Sequence, residues 1–279
     1  MRKFTSLLVG LILMNITSNI FQTNAYGTQS AGEFDEREEI NRSFTLSRGA
    51  RVEVSSISGS VEIRTSEGNR AEVHIVRMAR NREDFLLRKF TIQHTPNSLI
   101  VRAEDERQNR ANRQVQIRER VVLELPRQIE LSVNSISGPV IVGSVAGPMQ
   151  ASSISGPLTI GNVGDAVKLS SISGSVRLGS VAGHLTASSL SGRLSVAVTR
   201  LDRRGIQLSS ISGTVELRFE DELNADLDVT NISGRVQLDV PNVTLQRAAN
   251  GSNVKARIGS GGVPISMSSI SGSVRLERK

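Results

Sequence analysis

The 279-residue chain has no cysteine, no tryptophan, a single tyrosine and only 3% aromatic residues. Without cysteine it can form neither a disulfide framework nor a thiolate metal site. Its three histidines, His74, His94 and His184, show no spacing that would gather the three or four ligands a metal needs, so no metal and no cofactor are expected. The shortage of rings removes the stacking platforms that single-stranded nucleic acid requires, and nucleic acid is not an expected partner. The apolar run at 7–13 is shorter than the roughly 20 residues of a membrane-crossing helix.

That run instead reads as an export signal over residues 1–25. Arg2 and Lys3 precede it, and Thr23-Asn24-Ala25 offers a cleavage site. Export implies a mature chain without a transmembrane segment, located in the periplasm, on the cell surface or in the medium. Residues 26–39 are polar and acidic and read as a mobile leader. Formal net charge is +7, and basic residues are overwhelmingly arginine.

The dominant feature is a repeated phrase. SISG, once as SLSG and once as NISG, ends at Gly59, Gly138, Gly156, Gly174, Gly192, Gly213, Gly234 and Gly272. Through the middle of the chain these copies alternate with a looser GSVAG form, so that an 18-residue unit consists of two similar halves. Each half carries three aliphatic residues: Val167, Leu169 and Ile172, then Val176, Leu178 and Val181. The first two alternate with a polar residue, Lys168 or Arg177, as a strand with one buried face does. The third is expected to turn back inward at a corner. The corner glycines supply positive φ, and Asp165, which replaces one of them, is expected in the left-handed region.

One such half cannot fold alone. Three buried aliphatics contribute about 1.5–3 kcal/mol each, less than the roughly 1–2 kcal/mol per residue lost in ordering nine backbone units. Stacking closes the gap, because neighbours share ladder bonds and apolar faces. The fold class expected is all-β: a β-solenoid of stacked 18–21-residue coils, two short strands each, over residues 131–279. Residues 40–130 lack the repeat grid and are expected to form an irregular N-terminal β cap, with a short helix within 81–89. The last copy, at 268–272, is expected to finish the stack.

The SxSGxVxV phrase, the export signal, VVLELP at 121–126 and the late IGSGG at 258–262 together resemble the bacterial "putative adhesin" family, a domain of unknown function built of β-strand repeats. The resemblance implies an exported all-β envelope protein and transfers no catalytic residue.

The residues themselves offer little chemistry. Near the repeat serines only His184 and Asp165 could serve as base and orienting group, and serine as a small corner residue explains every copy at once. Acidic residues are too sparse between 131 and 200 for calcium-binding coils. Arg102, Arg107, Arg110, Arg113, Arg118 and Arg120 form a candidate basic patch, although Glu104, Asp105, Glu106, Glu119 and Glu124 interleave with them. The function expected is a non-enzymatic adhesion or interaction scaffold in the cell envelope, its partner an envelope or surface macromolecule. The alternative is an envelope-stress or regulatory module that binds acidic polymers or membrane surfaces through arginines.

Overall fold

Apolar and polar residues alternate along most of the chain, and a period of two makes strands with one inward face. The structure, a computed structural model, describes residues 34–105, 116–200, 202–219, 224–249 and 253–278. The expected signal, 1–25, and most of the leader lie outside the described residues. The unit Glu33–Lys279 is all-β, and its single described helix, α1, spans only Asp84–Leu87.

Two columns of parallel strands run through this unit. The first contains β2 (Arg51–Ser56), β6 (Ser98–Asp105), β8 (Glu130–Ser137), β10 (Met149–Ser155) and β12 (Val167–Ser173). The second contains β3 (Ser60–Ser66), β7 (Ile117–Pro126), β9 (Val140–Val142), β11 (Leu158–Val163) and β13 (Val176–Val181). Register steps by one repeat per rung: Leu131 lies beside Met149, Met149 beside Val167, and Val167 beside Leu185. Later rungs run through the corner as one long strand each: β14 (Leu185–Val198), β15 (Ile206–Phe219), β16 (Ala225–Asp239) and β19 (Val263–Arg278). Val167, Leu169, Val176, Leu178 and Val181 are all buried in one continuous aliphatic core.

Rung order departs from chain order at both ends. The β2–β3 rung lies between β6–β7 and β8–β9, so part of the N-terminal region belongs to the stack itself rather than to a cap over it. The last copy does not finish the stack either. β19 is inserted between β15 and β16, with Gly272 beside Gly213 on one flank and Gly234 on the other. The insertion is made by a hairpin of β17 (Val243–Ala249) and β18 (Asn253–Ile258). β18 pairs antiparallel with the first half of β16, and Gly259–Gly262 then return the chain.

Three of the four column ends carry antiparallel strands. β5 (Arg88–Thr95) covers β6; β4 (Arg70–Ala79) and then β1 (Glu36–Thr45) cover β7; β18 and β17 cover the first half of β16. Residues 36–39, expected in the leader, are therefore strand, because they gain a ladder with β4.

The return turn is pinned by Asp226. Its Oδ2 accepts the Gly262 N–H at 3.0 Å, and its Oδ1 accepts from Arg257 Nε at 3.0 Å. Those two contacts, the Gly262 amide first, hold the carboxyl below its usual range. A depressed folded value stabilises the fold above the unfolded carboxylate pKa, and the contribution is lost as pH falls through the folded one. Asp226→Asn is expected to lower urea-measured stability at pH 7, with the difference from the parent shrinking on acidification below about pH 4. A difference that stays constant with pH would contradict this pin.

Candidate functional site

The repeated corner begins as ordinary strand. Val167 points in, Lys168 out, Leu169 in, Ser170 out, Ser171 in and Ile172 out, in unbroken alternation. The first serine of SISG is therefore buried, and the isoleucine, expected inside, is 47% exposed. In the GSVAG half, by contrast, the register shifts between Leu178 and Val181; the extra residue returns Val181 to the core. The SISG half keeps strand alternation through its third aliphatic residue and turns at Gly174, whereas the GSVAG half is irregular just before its own.

Because the rungs are in register, the outward residues form a column: Ile136, Ile154, Ile172, Leu190, Ile211, Ile270 and Ile232, all exposed. Rungs about 4.8 Å apart bring neighbouring aliphatic side chains into contact along an open stripe. Beneath it runs a buried column of Ser135, Ser153, Ser171, Ser189, Ser210 and Ser269, completed by Asn231. Ser153 Oγ donates to the Gly156 carbonyl at 3.2 Å, and Asn231 Nδ2 donates to that of Gly272 at 3.3 Å.

The eight repeat glycines all have positive φ, from 94° at Gly59 to 151° at Gly234. Each also lies against its neighbour: a Cβ on Gly174 would overlap the carbonyl oxygen of Gly156, and one on Gly192 that of Gly174. The other corner differs. Gly147 and Gly183 do not have positive φ, although a Cβ on either would overlap the backbone of the neighbouring rung, and Asp165, at the equivalent position between them, does not have positive φ either. Asp165 instead accepts the Ala166 N–H at 2.6 Å through its own Oδ1.

Beyond Gly59 the glycine column meets Glu119, its neighbour on β7, and there a charge cluster begins. Glu119 has a fully buried side chain, with Arg77 Nε at 3.8 Å and Arg88 Nη1 at 3.6 Å. Arg77 also reaches Glu38 at 2.6 Å, and its guanidinium lies 4.8 Å from the Phe85 ring centre and bonds to the Arg88 carbonyl. Arg88 donates to Ser58 Oγ at 2.6 Å. Burial pushes the Glu119 carboxyl up, while Arg88 and then Arg77 oppose the rise. Sequence reasoning missed this cluster, although its signal is readable: Arg77 and Glu119 occupy inward positions in line with Ile75 and Val121.

Of the candidate basic patch, Arg107, Arg110 and Arg113 lie outside the described residues. Arg102 pairs with Glu53 at 2.9 Å, and Arg120 with Glu62 at 3.1 Å. Arg118 lies over the Phe34 ring at 4.3 Å. Arg64, with Arg120, holds the Glu62 carboxyl below its usual range. His184 is committed locally: its Nδ1 lies 2.9 Å from the Gly205 carbonyl and its Nε2 3.2 Å from Thr186 Oγ1, with neither bonded to a repeat serine. Among the described residues no three His, Asp or Glu side chains converge as metal ligands, and no helix is long and apolar enough to cross a membrane.

A family model described as Toastrack DUF4097 matches residues 130–277. Among solved structures, a "putative adhesin" from Bacteroides fragilis is 11% identical with a TM-score of 0.45, covering 86% of this chain and 97% of its own. A "putative adhesin" from Parabacteroides distasonis is 11% identical at a TM-score of 0.40, with the same coverage of 86% and 97%. A "putative cell adhesion protein" from Clostridium sporogenes is 10% identical at 0.35, covering 88% of this chain and 100% of its own. No curated protein matches the chain significantly.

The glycine column is open to direct test. Gly174→Ala forces a side chain into positive φ and onto Gly156, and is expected to cost at least about 1–3 kcal/mol in denaturant unfolding. Gly143→Ala, at ordinary φ and with 3.4 Å to the nearest neighbouring atom, should change stability far less. Equal effects would contradict the close-approach argument.

Proposed function

The chain belongs to the Toastrack DUF4097 family, and on that premise we propose that it is an exported, non-enzymatic β-solenoid that acts as an adhesion or interaction scaffold in the bacterial cell envelope. The observation that carries this reading is the exposed column from Ile136 to Ile232. Apolar side chains that recur outward at seven successive rungs, where Lys168 and Thr186 show that polar residues fit the same outward face, make a contiguous contact stripe rather than scattered exposure. A stiff ladder presents such a stripe without the ordering cost a flexible segment would meet on binding. The expected partner is an envelope or surface macromolecule with an apolar face.

Catalysis has little support. Two surface hollows, about 470 Å³ around Glu62 and Arg127 and about 390 Å³ beside Gly234 and Val274, contain neither His184 nor Asp165. Recognition of acidic polymers through arginines is likewise weakened, because Arg102 and Arg120 are held by carboxylates.

Replacing Ile154, Ile172 and Leu190 together by threonine places β-branched, strand-compatible residues at all three positions while interrupting the stripe. Each substitution is expected to change stability by no more than about 0.5 kcal/mol. Retention on a phenyl-substituted matrix and adsorption to isolated envelope fractions should fall severalfold. A triple variant that folds and still binds like the parent would refute the assignment.

A further inference from the structure

The fourth column end is open. The second half of β16, from Gly234 to Asp239, pairs with β19 on one side and with no other described strand. Core residues show the consequence. Val215, Leu217, Val274 and Leu276 are fully buried, whereas Val236 and Leu238, one rung further out, are only partly buried against the same core. The hollow of about 390 Å³ beside Gly234, Arg235, Gln237 and Val274 opens at this place. The strand's free backbone groups can be assigned by register. At inward positions the N–H faces the following rung, as Val140 donates to Pro157 and Leu158 to Ser175, each at 2.9 Å. By the same register Val236 and Leu238 direct N–H and C=O to the open side.

We propose that a second copy of this chain fills that edge, two β16 strands pairing antiparallel about a two-fold axis at Gln237. The pleat requires inward residues to meet inward residues, and among the registers that satisfy it the one centred on Gln237 is self-complementary. Val236 faces Leu238 of the second copy, continuing the core across the junction. Arg235 faces Asp239 of the second copy on the outer surface, twice by symmetry. Within its own chain, neither Arg235 nor Asp239 forms an ion pair with a described residue. Val236 and Leu238 make reciprocal backbone hydrogen bonds in this register. The contact is isologous and closes on itself, so it ends in a dimer and not a fibre. It does not depend on what the aliphatic stripe binds.

Sedimentation equilibrium of the full chain tests this. The parent is expected to be dimeric, and Arg235→Asp and Asp239→Arg should each be monomeric at the same concentration, because each places like charges opposite one another. An equimolar mixture of the two variants should recover a one-to-one heterodimer. In that pairing the acid introduced at position 235 of one copy faces the base introduced at position 239 of the other, and the two unaltered residues face each other. Circular dichroism of each variant confirms that the strands are intact. A parent that stays monomeric at all concentrations overturns the proposal. So do single variants that remain dimeric, or a mixture that stays monomeric.

Discussion

The structure depends on how closely one rung can approach the next at the SISG corner. Glycine lies on glycine there, with the carbonyl of one occupying the space a side chain on the other would need. That approach leaves no freedom to slip, because a shift of one residue would put serine, threonine, proline or arginine into the same space and reverse every inward and outward position. Positive φ then turns the chain into the second column without strain. The aliphatic core, the serine column beneath the corner and the isoleucine column above it all follow from this one registered contact.

The ends of the stack show what happens when the corner has no further partner. On one side the glycine column meets Glu119, and the small residue gives way to a charged ladder through Arg77 on β4 and Glu38 on β1, paired antiparallel at each step. Breaking such a buried group by removing one partner leaves an uncompensated charge, which is far costlier than the pair is worth. The antiparallel strands β4 and β1 thus cover the apolar interior, and Glu36, Glu38 and Arg42 blunt their outer edge against further pairing. On the other side Asn231 replaces the buried serine and a hairpin covers only half the rung. The two ends are built on different chemistry, one of charge and one of an open strand.

Much of the fold was legible. Alternation of Val167, Leu169, Val176 and Leu178 identified the strands, and the glycine grid identified the stacking interval, because both depend only on local period and spacing. Strand order was not legible: β19 carries the same phrase as its neighbours, so nothing local marks it as inserted between β15 and β16. Inward and outward assignment failed at Ile172 for a similar reason. Hydrophobicity argued for burial, while the backbone kept its alternation past Ser171 and the bulge that rescues Val181 has no counterpart. Asp165 was misread because the two corners look alike in sequence and turn differently. The candidate contact stripe was thus present in the sequence from the start but assigned to the wrong side of the sheet.

That assignment can be measured directly, since the chain contains no native cysteine to interfere. The single variants Ser171→Cys, Ile172→Cys and Val176→Cys report side-chain direction through their rates of maleimide labelling in the folded protein. The thiol at position 172 should react at the rate of an exposed thiol, while those at 171 and 176 should react only as the protein unfolds. Protection at 172 together with ready labelling at 171 would contradict the account.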